Sequence, residues 1–339
     1  MLTREKTGRL LAACGVLPLL WACSSTPKHE QPAAAWHLLG SELDSALISV
    51  WGSSENDVWA VGADTGSGPR VVHWDGSHFE PVSTGTSGDL WWVFGFEGGP
   101  VFVGGAHGVI ARYEDGAFST LPTPGTATVF GLWGSAPDDM WAVGGETGGA
   151  TGAFAWHFDG DQWLEAPGFP ADLAESGALW KVWGSASDDA WLVGTAGVAL
   201  HWDGESFQTA NVGGGESLFT VHYAGGRYAT VGGSASGLVF ENDGGDWQRS
   251  DDGSLPPLTG VHMTSAEHGY AVGRFGTFVE RVDGAWTERT GPDTSESLHA
   301  VWVDENGGVW VVGGELDIAP LSHGVFAYRG LHAPNGVLQ

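Results

Sequence analysis

The stretch VWGSASDDAWLVGTAGVALHWDGESFQTA at 182–210 decides the fold. It divides into four short pieces. An apolar opening piece, WKVWG (180–184), runs into the acidic turn SASDD; a second piece, AWLVG (190–194), follows; a third, VALHWDG (198–204), ends in Asp-Gly; a fourth, SFQTA (206–210), starts beside an aromatic. Each piece has strand length and strand composition, with β-branched and aromatic residues bounded by Gly, Asp and Ser. Asp-Gly between apolar runs marks a tight hairpin, because Gly accepts positive φ at no steric cost.

The unit recurs. Its opening motif begins at Val50, Val93, Leu132, Val182, Val221, Val261 and Val301, with spacings of 43, 39, 50, 39, 40 and 40 residues. Extended back to the first strand residue, the repeats start near 46, 90, 129, 179, 218, 258 and 298. The Asp-Gly pair returns at 75–76, 115–116, 159–160, 203–204, 243–244 and 283–284, each followed within two or three residues by Phe or Trp. Four strands in about 40 residues, seven times over, predict an all-β chain folded as a seven-bladed β-propeller with four-stranded antiparallel blades.

The ends predict how the ring closes. The last repeat supplies HAVWV (299–303), GVWVVGG (308–314) and GVFAY (324–328), and its tail LHAPNGVLQ has no aromatic-led fourth strand. AAWHLLGSELDSALISVW (34–51) resembles GAWTERTGPDTSESLHAVW (284–302), so residues 35–39 are expected to add the outer strand of blade 7. The propeller then spans 35–339.

Composition agrees with this fold class. Of 339 residues, 56 are Gly and 19 Trp, and nothing repeats at helical spacing. The formal charge of −28 speaks against a nucleic-acid partner, which needs a basic patch. Arg4, Lys6 and Arg9 precede the uncharged run LLAACGVLPLLWA (10–22), a basic region and an apolar core that read as a signal peptide over 1–22. The 13-residue run is shorter than the about 20 residues of a membrane span.

LAAC (11–14) and LWAC (20–23) both resemble the lipobox of bacterial lipoproteins. Cleavage before Cys14 leaves a core shorter than the about 7 residues required, so Cys23 is the expected lipidation site. SSTPKHEQPAA then reads as a tether over 23–34. By the same resemblance, Ser24 after the cysteine points away from inner-membrane retention. The chain is expected to be an exported outer-membrane lipoprotein, facing the periplasm or the cell surface. With the other cysteine in the leader, no disulfide is available.

The recurring aromatics read as packing. Trp51, Phe94, Trp133, Trp183, His222, His262 and Trp302 share one position, and Trp59, Phe102, Trp141, Trp191, Tyr228, Tyr270 and Trp310 share another. One in every blade fits a wedge between adjacent sheets better than a sugar platform. His73, His157 and His201 sit one per blade, too dispersed for a joint metal site. His222 and His262 replace Trp in adjacent inner strands, close enough to approach each other, and read as packed, hydrogen-bonded histidines rather than a site.

In an up-and-down blade, the first–second and third–fourth turns emerge on one face. That face collects Glu55, Asp57, Asp138, Asp139, Asp188, Asp189, Asp304 and Glu305 and should be an acidic rim. The other face takes the irregular loops 62–70, 144–153, 166–178 and 313–324. Loops of unequal length on a rigid scaffold are where binding tends to reside, and His107, Arg274 and Phe275 are the candidate binding residues there.

No nucleophile elbow, phosphate loop, His-Glu-x-x-His or cysteine cluster occurs. The Asp-Gly-x-x-Trp turns partly match the Asp-box of sialidase-like propellers, but the Arg-Ile-Pro such chemistry needs is absent. A lipobox followed by WGSxxDDxWAVG…HWDG repeats resembles a family of bacterial envelope lipoproteins. These relate loosely to Asp-box propellers and to propellers that assist photosystem assembly. The resemblance implies the fold over 35–330 and no activity.

The expectation is a monomeric, lipid-anchored binding or scaffold propeller without catalytic residues, cofactor or metal. Its partner would be an envelope protein or polysaccharide. A glycan hydrolase or lyase, and a Ca²⁺-dependent adhesin, are the alternatives.

Overall fold

A computed structural model describes residues 33–146, 152–175 and 177–338; the expected signal peptide, Cys23 and nearly all of the expected tether lie outside these residues. Seven four-stranded antiparallel sheets form a β-propeller, as the repeats predict. Blade 4, read from the axis outward, is Leu179–Ala186, Asp189–Gly194, Ala199–Trp202 and Phe207–Thr209.

Blade 7 is built from both ends of the chain. Ser297–Val303, Val309–Glu315 and Ser322–Gly330 come from the last repeat, and Ala35–Leu43 pairs with Ser322–Gly330 as the outer strand. This closing strand is longer than the expected 35–39. Trp36 seats it against blade 6: its indole N–H donates to the Thr290 carbonyl at 2.9 Å, and its ring meets Phe278 edge-on at 5.0 Å. Leu39 and Leu43 point into the core at 2% and 3% exposure. The tail lies on the same strand, where the Leu338 amide donates to the Leu39 carbonyl.

The aromatic-Gly pair that opens the first four repeats has a geometric cause. A Cβ on Gly52 would lie 2.7 Å from the Trp302 ring, one on Gly95 2.7 Å from the Trp51 ring, and one on Gly184 2.3 Å from the Trp133 ring. Trp302, Trp51 and Trp133 therefore each occupy the space left by a glycine of the next blade, whereas Trp183 meets His222. The second-strand aromatics fill the interblade core as well: Trp59, Phe102, Trp141 and Trp310 are each at most 2% exposed. His222 and His262 stack on one another at 4.2 Å between centroids, and His222 stacks on Trp183 at 4.1 Å. The Met263 amide donates to His222 Nδ1, so that ring carries its proton on Nε2.

The turns fall on two faces as the topology requires. A Cβ at Gly204, in a third–fourth turn, would touch Asp188 in the first–second turn of the same blade. All six Asp-Gly glycines have positive φ, between 83° and 101°.

Candidate functional site

Each inner strand carries an irregularity at the same place. The pairing register shifts after the first strand leucine or valine in all seven blades, leaving Ile48, Trp91, Phe130, Trp180, Phe219, Thr259 and His299 as the unpaired residues. A bulge re-aims its extra side chain out of the alternating pattern. Six of these seven, all but Ile48, line a cavity of about 430 Å³ at the mouth of the central channel. Four are aromatic, and they meet in a chain: Trp91 and Phe130 edge-on at 5.2 Å, Phe130 and Trp180 at 4.7 Å, Trp180 and Phe219 at 6.1 Å. The rim comes from second–third loops, with Ser234, Arg274, Leu316 and Asp317. The funnel thus opens on the variable-loop face.

Inner strands diverge around the axis and cannot ladder with one another, so their carbonyls need other donors. Side chains supply them. Trp92 donates to the Leu132 carbonyl at 2.8 Å, Thr220 to Thr259 at 2.6 Å, Thr259 to Leu298 at 2.6 Å and His299 Nδ1 to Ile48 at 2.6 Å. Since a carbonyl only accepts, Nδ1 of His299 bears the proton. Lys181 completes the set: its ammonium donates to the Phe130 carbonyl at 3.0 Å and lies 3.3 Å from the centre of the Trp92 ring. Burial pushes the Lys181 amine well below the ordinary lysine range. Burial, with a smaller push from the Lys181 charge, lowers His299 to about 4 against the weaker opposing effect of its bond to Ile48.

The three residues that sequence reasoning put on this face separate. Arg274 lines the funnel, but its guanidinium is paired with Asp317 at 2.9 Å, which ties the loops of blades 6 and 7 together. Phe275 stands beside it at the tip of the turn, 74% exposed. His107 occupies the equivalent tip in blade 2 and is not part of the funnel wall. His107, Ala196 and Phe275 share left-handed backbone, with φ of 61°, 54° and 60°, in turns of the pattern Gly-x-x-Gly. These are repeated turns of the scaffold. The funnel aromatics, Lys181 and His299 were not singled out from sequence. For all but Lys181, which follows one place later, the signal was available as the residue after the Leu or Val near the start of each inner strand, a column that varies from Trp to Thr while its neighbours repeat.

On the acidic face the repeat motif builds a rung inside three blades. Ser53 and His73 bind the two oxygens of Asp57 at 2.5 and 2.7 Å; Ser135 and His157 hold Asp139, and Ser185 and His201 hold Asp189, in the same way. His73 lies flat on Trp59 at 4.0 Å. The serine donates to the carboxylate and not to the imidazole, so the arrangement differs from the Ser–His–Asp order of a hydrolase triad. Burial raises Asp57 and Asp189, but their Ser and His hydrogen bonds outweigh it and hold both below the usual carboxylate value. Asp75, Asp159 and Asp203 spend a carboxylate oxygen on amides of their own turns. Among the described residues, Asp75, His78 and Glu80 form the one group of three side chains close enough to share an ion, and all are exposed.

No family model matches the chain, and no curated protein sequence matches it. Solved structures do. The chain is similar to "YCF48 bound to D1 peptide", at 13% identity over 91% of this chain and 100% of that one, with a TM-score of 0.62. It is also similar to the WD40 repeats of RRP9 (12%, covering 89% and 99%, TM-score 0.67) and to streptogramin B lyase (11%, covering 87% and 97%, TM-score 0.68). At these identities the likeness is one of fold.

Proposed function

We propose that this chain is an exported, lipid-anchored binding module of the cell envelope, without catalytic activity, that holds the apolar or aromatic part of a partner in its axial funnel. The observation that carries the reading is the row of bulges, which turns Trp91, Phe130, Trp180 and Phe219 out of the blade packing and toward one cavity. Concave, largely apolar sites with a few placed polar groups are the usual form of a ligand pocket. Similar propellers include one solved with a bound peptide and one lyase. The binding reading is favoured over glycan hydrolysis because the funnel wall holds a single carboxylate, Asp317, already engaged by Arg274, whereas glycoside hydrolysis uses two. The envelope address rests on the leader and Cys23.

Two experiments test this. Capture from envelope extract by the wild type should be lost in a Trp91→Ala/Trp180→Ala variant that melts as a folded protein. An unchanged set of captured partners refutes the funnel as the binding site. Cys23→Ala should move the protein from the membrane to the soluble fraction, and a variant that stays with membranes refutes the anchor.

A further inference from the structure

The sequence holds three lysines: Lys6 and Lys28, both before the propeller, and Lys181. Lysine is ordinarily a surface residue and almost never fully buried unless paired. Here the one lysine of the propeller is 3% exposed and lies in the funnel wall. Its partners are one carbonyl, Phe130, and the face of Trp92. An ammonium offers three donors, so its capacity is not filled.

No carboxylate lies within 4.0 Å of Lys181 among the described residues, in a chain with 41 acidic side chains. The contrast with the other buried cation is direct. Arg281, 2% exposed, receives Glu241 through two hydrogen bonds of 2.6 and 3.0 Å. Thr220, Thr259 and His299 donate to carbonyls of adjacent strands. At the rim, Asp317 neutralises Arg274. Lys181 is therefore a buried amine for which the protein supplies no carboxylate, beneath a wall of aromatic rings, and an arriving carboxylate favours its charged form.

We propose that the funnel takes an aromatic monocarboxylate, its ring stacked among Trp91, Phe130 and Trp180 and its carboxylate on the Lys181 ammonium. This rests on the funnel being the binding site. A charge-assisted hydrogen bond in a water-poor site is among the stronger single contacts a pocket can make. An arriving anion also relieves the desolvation that burial imposes on the amine. The overall acidity of the molecule disfavours polyanions, so selectivity for a single carboxylate on a flat apolar body follows from both features.

The test is calorimetric titration of the purified protein with 3-phenylpropionate and with its uncharged amide. Wild type should bind the acid about 10- to 100-fold more tightly than the amide. Lys181→Met, which removes a buried charge at similar volume, should erase that preference and leave weak binding of both. Equal affinity of wild type for acid and amide, or undiminished acid binding by Lys181→Met, overturns the proposal while the funnel reading stands. Should Lys181→Met fail to fold, the acid–amide comparison on wild type decides alone. Binding of neither probe overturns the proposal and the funnel reading together. Comparing 3-phenylpropionate with N-acetyl-glycyl-phenylalanine tells a free acid from the carboxylate end of a chain.

Discussion

Replacing Leu39 by alanine tests how the ring is closed. Leu39 belongs to the strand Ala35–Leu43, which comes from the start of the chain and completes the blade made by its end. The side chain is 2% exposed and sits in the cluster of Trp74, Trp310, Phe326 and Leu43. Its neighbour Leu38 is 37% exposed. A register shift between Leu38 and Gly40 turns Leu39 inward while Leu38 stays outside. Truncating a buried leucine costs about 2–5 kcal/mol, the lost transfer energy plus the cavity left behind. Truncating an exposed one costs within about 0.5 kcal/mol. For a domain of this size, roughly 2 °C of melting temperature accompany each kcal/mol, so Leu39→Ala should lower the transition by roughly 4–10 °C. Leu38→Ala should move it by about 1 °C or less. Scanning calorimetry on both variants and wild type measures the difference directly. Equal shifts for the two leucines would refute the seating of this strand in blade 7.

Two further predictions concern the packing of the wedge. Burial lowers His262 from 6.5 to about 4 in the folded chain, so the unfolded chain takes up a proton that the folded one refuses. Stability should therefore fall as pH drops from about 6.5 to about 4 and level off below that, and His262→Phe should flatten the melting-temperature profile across this window; an unchanged slope counts against a buried neutral imidazole. Gly184→Ala places a Cβ 2.3 Å from the Trp133 ring and should destabilise by about 1–3 kcal/mol in a denaturant titration, whereas Gly215→Ala, with nothing within 4 Å, should be near neutral. Equal midpoints for the two glycine variants would mean that Trp133 does not occupy the space beside Gly184.

By itself the sequence determined the blade count, the order of four strands within each blade, the closing strand and the split into an acidic face and a variable face. All of these follow from local period: strand patterning, Asp-Gly turns and recurring aromatics are written at fixed offsets, and a fold assembled from like units repeats its evidence. The Ser–Asp–His rungs were visible as letters, SxxxD and HW or HF, but not as contacts. The column that lines the funnel was harder. Trp91, Phe130, Trp180, Phe219, Thr259 and His299 differ in chemistry, and as residues in a strand they would be assigned to blade packing by alternation. Only the bulge, a backbone irregularity with no required residue type, turns them to the axis. Lys181 carries its meaning only in three dimensions. Whether a lysine is solvated or buried without a carboxylate depends on strands about 50 to 90 residues away, on Phe130 and Trp92, which the packing of neighbouring blades brings to its side. Of the candidate residues chosen from loops, Arg274 lines the funnel, while His107 and Phe275 are equivalent tips of one repeated turn.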